Sequence, residues 1–259
     1  MKYFTLILIL VTVVVTFYIY PSLPAKMPTH WNFQGNIDAY SPKLFAAWLM
    51  PAIAIAMLIM FELVPKFDPK KEKYKLFEKE WMIMANGIII FMIYMHTIMM
   101  YASMHIETNI MKPMFVGMGI LFILIGNYLS KIRHNYFIGI RTPWALESEE
   151  NWNKTHRFAS WTFVLAGIIV FLEAFFLWYA SAMIFGSIMI AAILPIIYSY
   201  LVYIKKPIYI RYVILGLFAL ILAFVLLRFS TPEDTWICDN GKWVPHGHPT
   251  VAPPSTICK

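Results

Sequence analysis

Residues 81–103, WMIMANGIIIFMIYMHTIMMYAS, contain no Asp, Glu, Lys or Arg. A helix needs about 20 predominantly apolar residues to cross the hydrocarbon core of a bilayer, so this run is long enough to span it. The rest of the 259-residue chain is similar, since 60% of its residues are hydrophobic and 14% are charged, against about 25% charged in soluble domains. The sequence therefore predicts a membrane protein.

Seven apolar segments of this kind predict an all-α fold with about seven transmembrane helices. They cover residues 3–20, 44–64, 81–103, 114–130, 158–180, 183–204 and 208–227. The first segment is predicted to be a retained helix rather than a signal peptide, because its apolar run is long and no A-x-A cleavage site follows it. We expect a protein that crosses the plasma membrane several times.

Positive charge alternates from one connection to the next and predicts the topology. The second, fourth and sixth connections are rich in Lys and Arg, whereas the first, third and fifth are poor. Loops rich in Lys and Arg stay in the cytoplasm, so the N-terminus is predicted inside and the C-terminus outside. The formal net charge of +7 is explained by this pattern, and no nucleic-acid partner is expected.

The tail after the seventh segment holds both cysteines, Cys238 and Cys258. The predicted topology places them outside, where disulfides persist, so we expect them to bridge. The run WICDNGKWV has Asp-Asn-Gly between two apolar triplets, which is typical of a small hairpin. The chain is thus divided into an N-terminal helix pair with an outer loop (1–65), a transmembrane domain (66–229) and a Cys-bounded outer tail (230–259).

A polar stretch, NYFIGIRTPWALESEENWNKTHRF at 135–158, interrupts this apolar sequence on the predicted cytoplasmic side. Ser148 followed by two glutamates is typical of a helix N-cap with acids in the first turn. A helix that begins there runs straight into the fifth span. One of its faces, by the spacing of neighbours on a helix, carries Trp152, Thr155, His156 and Ala159.

Two interpretations of this stretch remain open from the residues alone. In a lipid-facing cuff, Trp144 and Trp152 lie at headgroup depth and the cations face anionic lipid; these cations are Arg133, Arg141, Lys154 and Arg157. In a binding site, the rigid guanidinium fork of Arg141 binds a carboxylate, a phosphate or the carbonyls that end a helix.

The same stretch resembles the signature of the SdpI family of bacterial and archaeal membrane proteins, which reads I-G-I-R-T-P-W-x-L, a polar turn, then W-x-x-T-H-R. The matching positions are Ile138, Gly139, Ile140, Arg141, Thr142, Pro143, Trp144, Leu146, Trp152, Thr155, His156 and Arg157.

A second stretch, MPTHWNFQGNIDAYSPK at 27–43, resembles a small module that often precedes SdpI domains and reads P-x-H-F-N-x-x-G-x-x-D with a closing Lys. The matching positions are Pro28, His30, Asn32, Gly35, Asp38 and Lys43. The chain departs from the module with Trp31 in place of Phe and Ile37 where Pro is common.

The resemblance implies immunity against a secreted killing peptide, without catalysis or a cofactor. It also implies that the protein relays the presence of the peptide to a cytoplasmic partner such as a repressor. On this interpretation the outer loop, 28–43, meets the extracellular ligand. The inner loop, 141–157, holds or releases the partner.

Ionisable residues inside the spans are costly in lipid and are functional candidates. His96 and Glu173 are predicted at similar depth, and we expect them to face each other or to share a water-filled cavity. Asn86 and Asn127 are expected to form a similar pair that joins two helices.

Two other classes of function remain alternatives. A metal-dependent membrane hydrolase would use an outer set of histidines and acids. Its members would be His30, Asp38, His96, His105, Glu107 and Glu173. The other alternative is a small-solute or metal-ion transporter.

Overall fold

A computed structural model describes residues 2–32, 35–106, 108–176 and 180–205, and beyond them 212, 216, 235–239, 242–246, 252–254, 256 and 258. The chain divides into two compact units, Met1–Pro207 and Ile208–Lys259. The elements of the first unit are α1 (Lys2–Ile19), β1 (Lys26–Trp31), β2 (Ile37–Pro42), α2 (Lys43–Phe67), α3 (Glu78–Met104), α4 (Met111–Leu129), α5 (Pro143–Glu147), α6 (Glu149–Phe176) and α7 (Ala180–Tyr203). The second unit contains β3 (Thr235–Asp239) and β4 (Lys242–His246).

Six helices of the described residues, all but the short α5, are long and apolar enough to cross a membrane. The predicted multi-span architecture is therefore confirmed for six spans. The seventh predicted segment, 208–227, lies outside the described residues apart from positions 212 and 216. As predicted from its cap, α6 begins at Glu149 and runs without a break into the fifth span.

The all-α prediction is wrong in one respect, because each unit contains a two-stranded antiparallel sheet. In the first unit, β1 pairs with β2 and buries Met27 against α2 and α3. We call this pair the N-terminal hairpin. The chain between the first two spans is long enough to fold back on itself, and span counting overlooks such local pairing.

The second unit confirms both expectations for the tail. Strand β3 pairs with β4 so that Cys238 lies opposite Trp243. A disulfide joins Cys238 to Cys258, and the indole Nε1 of Trp243 donates to the backbone oxygen of Thr256 at 2.8 Å. The disulfide and the indole therefore both hold the end of the chain against the hairpin.

Helices α4 and α6 approach so closely that only glycine fits at their crossing. A Cβ atom on Gly119 would lie 2.7 Å from the backbone nitrogen of Phe171, and one on Gly126 would lie 2.8 Å from that of Val164. From the other side, a Cβ atom on Gly167 would lie 2.7 Å from the nitrogen of Ile123. Small residues allow such backbone contact between membrane helices, where dispersion replaces the hydrophobic effect as the driving force.

Helices α1 and α3 are joined by two buried polar pairs. The hydroxyl of Thr5 donates to Asn86 Oδ1 at 2.5 Å, and the hydroxyl of Thr16 lies 2.8 Å from His96 Nε2. Because residue numbers rise together in the two pairs, the helices run parallel. Parallel first and third spans are what an alternating topology requires.

These pairs correct two expectations. His96 contacts Thr16 rather than Glu173, and Asn86 contacts Thr5 rather than the exposed Asn127. Glu173 is buried on α6, which packs against α4 and α7, whereas α3 packs against α1, α2 and the opposite side of α4. His96 and Glu173 were predicted at similar depth in the membrane, but they lie on helices that pack against different neighbours and do not face each other.

Candidate functional site

Residues 131–148, which we call the signature loop, fold around the buried side chain of Asn135. Its Oδ1 accepts hydrogen bonds from the backbone nitrogens of Phe137 at 2.9 Å and Ile138 at 2.8 Å. Its Nδ2 donates to the backbone oxygens of Arg133 at 2.9 Å and Ile138 at 3.1 Å. One amide thus satisfies four backbone groups of an irregular segment and fixes its conformation.

Asp68, just after the end of α2, ties this loop to the connection between α2 and α3. Its carboxylate is 2% exposed and accepts from the backbone nitrogens of Lys70 at 2.7 Å and Tyr136 at 2.9 Å. It also accepts from the hydroxyl of Tyr74 at 3.1 Å. Burial, and next the negative charge of Asp68, raise the pKa of Tyr74, so this phenol stays a donor.

A stacked pair on α6 forms the floor of the signature loop. Trp152 and His156 are fully buried, with ring centroids 4.0 Å apart. The indole of Trp152 donates to the backbone oxygen of Ile132 at 2.9 Å. His156 Nδ1 donates to the oxygen of Trp152 at 2.9 Å, while Nε2 accepts from the nitrogen of Ile140 at 3.1 Å. Because one ring nitrogen donates and the other accepts, the imidazole is neutral and its tautomer is fixed.

Gly139 makes that last hydrogen bond possible. Its φ is +106°, a conformation that side chains rarely adopt, and a Cβ atom there would overlap the imidazole of His156. The glycine of the signature is thus required twice, once by its backbone angle and once by the approach of the ring.

A second buried network joins the loop to α7 through Ser199. Its hydroxyl lies 2.8 Å from that of Thr142 and donates to Asn151 Oδ1 at 2.9 Å. Asn151 Nδ2 donates in turn to the backbone oxygen of Ser199 at 3.0 Å, and Thr155 donates to Asn151 Oδ1 at 2.9 Å. Thr142 also caps α5 by accepting from the nitrogen of Ala145 at 3.3 Å.

Only part of the predicted signature set reaches the surface. Arg141, Pro143 and Arg157 are exposed, whereas Thr142, Trp152, Thr155 and His156 are buried. The cuff interpretation is therefore wrong for Trp152, whose ring lies inside the protein. The predicted helix face is confirmed, because Trp152, Thr155, His156 and Ala159 all have no exposed surface.

Two signature residues hold the edge of the loop. Arg141 Nη1 donates to the backbone oxygen of Tyr136 at 2.9 Å, a carbonyl within the loop, which is none of the three kinds of acceptor expected for it. The half-buried ring of Trp144 packs against those of Tyr200 and Tyr203, with centroids 5.3 Å and 6.2 Å away. The exposed charge of Arg141 is thus held in place by the loop itself.

Sequence reasoning missed Asp68, Asn135, Asn151 and Ser199. For Asn151 and Ser199 a signal was present, since polar residues within or beside apolar helices usually bond across to a neighbouring helix. For Asp68 no local pattern identifies the distant partner Tyr136. Asn135 bonds to backbone groups two and three positions away, as asparagine often does in turns.

Cationic groups lie beside this network. The ammonium of Lys70 is 3.0 Å from His134 Nδ1, and it lies over the ring of Tyr136, 4.9 Å from the centroid. Lys73 forms a salt bridge of 2.9 Å with Glu149 at the start of α6. Burial, and next the charge of Lys70, lower the pKa of His134, and burial lowers the pKa of Lys70.

Acid is expected to destabilise the protein through His134. Because the pKa of His134 is lowered in the folded state, the unfolded chain binds more protons once the pH falls below about 6.5, and stability falls with it. The melting temperature should therefore be lower at pH 5 than at pH 7. His134→Gln should show a smaller drop over the same range, and an identical drop in both proteins would contradict the assignment.

The N-terminal hairpin, at the other end of the bundle, carries the residues of the second predicted module. On its exposed surface His30 Nδ1 and Asp38 Oδ1 are 2.5 Å apart. Asn32 closes the turn by accepting from the nitrogen of Asn36 at 2.9 Å, and the space beside Gly35 is bounded by Met111 of α4.

The two ends of this module hold the hairpin to the helices. Pro28 is buried in β1. Lys43 is the first residue of α2, and its ammonium lies 3.3 Å from the backbone oxygen of Pro21 and 4.7 Å from the ring centroid of Tyr20. The structure therefore places five of the six predicted residues in the hairpin and Lys43 directly after it, and His30 and Asp38 form an exposed polar pair.

The described members of the metal set of the hydrolase alternative are not brought together. Within the part of the chain that the structure describes, no three His, Cys, Asp or Glu side chains are placed to hold a metal ion. His105 stacks on Tyr101 at a centroid distance of 4.4 Å, and Nε2 of His96 contacts the hydroxyl of Thr16. Glu107 lies outside the described residues.

Six apolar helices and a buried polar loop define a multi-pass protein of the cell membrane. Residues 131–199, which contain that loop, match the SdpI/YfhL protein family, and residues 7–55 match a domain of unknown function (DUF1648). The chain is 27% identical to Immunity protein SdpI of Bacillus subtilis (strain 168) over 173 residues, covering 66% of this chain and 80% of that protein. No solved structure matches the chain. The SdpI resemblance is thus confirmed, while the P-x-H-F-N module stays a prediction.

Proposed function

We propose that this protein gives the cell immunity to a secreted killing peptide and that it does so without catalysis. The observation that carries the proposal is the coincidence of two findings. The region that matches the SdpI/YfhL family, 131–199, is also the region in which polar side chains form the buried networks around Asn135 and Ser199. The similarity to an immunity protein extends beyond this region.

The proposal includes the topology inferred from positive charge. The N-terminus and the signature loop face the cytoplasm, and the N-terminal hairpin and the Cys-bounded tail face outward. The division into 1–65, 66–229 and 230–259 then separates a part that meets the peptide, a membrane domain and an outer tail. Seven spans are required for this arrangement.

A relay to a cytoplasmic partner is supported by the path of α2. Strand β2 leads directly into α2 at Lys43, and Asp68 follows directly after the other end of the helix. Asp68 accepts a hydrogen bond from Tyr136, whose backbone oxygen in turn accepts from Arg141. A shift of the hairpin when a peptide binds His30 and Asp38 would thus reach the exposed Arg141, which we assign to the partner together with Pro143 and Arg157.

Survival of a sensitive bacterium tests the immunity. Cells that express the wild type are expected to survive a challenge with the purified killing peptide, while cells with an empty vector die. A wild type that reaches the membrane and gives no protection would overturn the proposal. The metal content of the purified protein and solute uptake in proteoliposomes would then test the hydrolase and transporter alternatives.

Arg141→Ala is expected to lose protection while the protein still reaches the membrane in normal amount. The change removes an exposed cation and one hydrogen bond, and exposed substitutions of this kind cost little stability. Lys154→Ala is the matched control, because this exposed cation forms a salt bridge with Glu150 on its own helix. Full protection by Arg141→Ala would show that Arg141 and the signature loop are not needed for immunity. The proposal that the protein gives immunity would still stand.

A further inference from the structure

One edge of the N-terminal hairpin is open. Among the described residues, β2 pairs with β1 and packs otherwise chiefly against α2, the helix that follows it directly. Four of its six residues are exposed, namely Asp38, Ala39, Tyr40 and Pro42. The hairpin therefore presents β2 as an edge strand, and an edge strand carries a row of main-chain donors and acceptors that another chain can pair with.

The ladder of the hairpin determines which main-chain groups face that open edge. In an antiparallel pair, hydrogen-bonded and non-hydrogen-bonded positions alternate along each strand. The nitrogen of Lys43 donates to the oxygen of Ala25 at 3.0 Å, and two positions earlier Ser41 pairs with Met27. Ser41 therefore faces β1 as Lys43 does. Tyr40, one position earlier again, directs its N–H and C=O away from β1.

The same alternation applies at the turn end of β2. The nitrogen of Asn32 donates to the oxygen of Asn36 at 2.9 Å, so the next residue, Ile37, directs its main-chain groups away from β1. The register shifts on either side of His30 separate Ile37 and Tyr40 by three positions instead of two. From Ile37 to the end of β2 the edge is about 17 Å long, at about 3.3 Å per residue, which matches an added strand of about six residues.

The opposite edge of the hairpin, along β1, is closed. Met27 and Pro28 are buried, and β1 packs against α2 and α3. Pro28 pairs with Tyr40, so it also occupies an outward position, and proline has no N–H to offer there. Proline is tolerated at such a position because no hydrogen bond of the ladder is lost. The two edges thus differ, since the outward positions Ile37 and Tyr40 of β2 both carry an N–H.

We propose that the killing peptide binds by adding an extended strand to β2. A strand edge matches the main chain of an extended polypeptide rather than a headgroup or a small solute, and strand addition is a common mode of peptide recognition. Asp38 belongs to this strand, so its exposed pair with His30 lies beside the added strand and contacts peptide side chains. The inference rests on the proposed immunity function and specifies how its ligand is held.

Tyr40→Pro tests the main-chain contact, because it removes the outward N–H and no hydrogen bond between β1 and β2. Tyr40→Ala is the matched control, since it lacks the same ring but keeps the N–H. The ligand is the killing peptide against which the wild type protects cells, carrying a fluorescent label. Its apparent dissociation constant, measured by anisotropy with purified full-length protein in detergent, should be about 10-fold higher for Tyr40→Pro than for Tyr40→Ala.

Hydrogen exchange of the wild type provides a second measurement, which decides the question if Tyr40→Pro fails to fold. The amide of Ser41, which faces β1, should exchange slowly with or without the peptide. The amide of Tyr40 should exchange fast in the free protein and about 10-fold more slowly when the peptide is saturating, because its N–H then lies within a ladder.

Equal affinity of the two Tyr40 variants would overturn the added strand and leave the immunity standing. An unchanged exchange rate of the Tyr40 amide at saturating peptide would do the same. Slow exchange of that amide in the free protein, increasing with protein concentration, would assign the edge to a second copy of the chain and also overturn the proposal. A wild type that neither binds the peptide nor protects cells would contradict the immunity function itself.

Discussion

Gly139→Ala is expected to lower the free energy of unfolding by about 3 kcal/mol and to abolish protection against the killing peptide. A single added carbon is strained at a φ of +106°, and a non-glycine residue there costs about 1–2 kcal/mol. The new Cβ also displaces His156, so the buried hydrogen bond from Ile140 is lost at a further cost of about 1–3 kcal/mol. Chemical unfolding of the purified protein measures the sum of the backbone cost and the cost of the lost hydrogen bond.

A double-mutant cycle with His156→Ala separates the two causes. Removing the imidazole creates space for the Cβ, so in that background Gly139→Ala should retain only the backbone cost. An equal penalty with and without the imidazole would show that the ring does not define the loop. Protection should be lost in all three variants, because each breaks the contact that positions Ile140 and, beyond it, Arg141.

Gly119→Leu is expected to prevent α4 and α6 from packing and to leave little folded protein in the membrane. The Cβ alone would lie 2.7 Å from the backbone nitrogen of Phe171 and 2.8 Å from the oxygen of Gly167. Backbone atoms of a helix cannot turn aside as a side chain can, so the cost should exceed the roughly 1–3 kcal/mol typical of overpacking. Fluorescence size-exclusion of detergent extracts measures the folded fraction.

Gly186→Leu provides the control for the same substitution in another span. A Cβ at Gly186 on α7 has no neighbour within 4 Å, and leucine is a better helix former than glycine. This variant should match or exceed the wild type in yield. A normal yield of Gly119→Leu would mean that the two helices separate without loss of the fold.

The parts of the fold that the sequence predicted are local. Apolar length identified the six spans, and Asp-Asn-Gly identified the tail hairpin. Ser148 marked the start of α6, and helical spacing gave the buried face that contains Trp152 and His156. Each of these depends on residues a few positions apart, where periodicity and capping chemistry act directly.

The parts that failed depend on the arrangement of helices around the bundle. Depth along the membrane normal placed His96 and Glu173 at one level, but it carries no information about which helices are neighbours. Asp68 with Tyr136 and Asn151 with Ser199 are separated by 68 and 48 positions in the chain. The sequence does not show which elements are neighbours, and the second pair follows from the packing of α6 against α7.

The paired hydroxyls of α1 have a mechanical consequence. Thr5 and Thr16 lie eleven positions apart, close to three full helical turns, and their partners on α3 are ten positions apart. Rotating α1 about its axis, or sliding it by one residue, breaks both hydrogen bonds together. The two pairs therefore fix both the rotation and the height of α1 against α3. A force on the N-terminal hairpin either moves α1 and α3 together or breaks both hydrogen bonds at once.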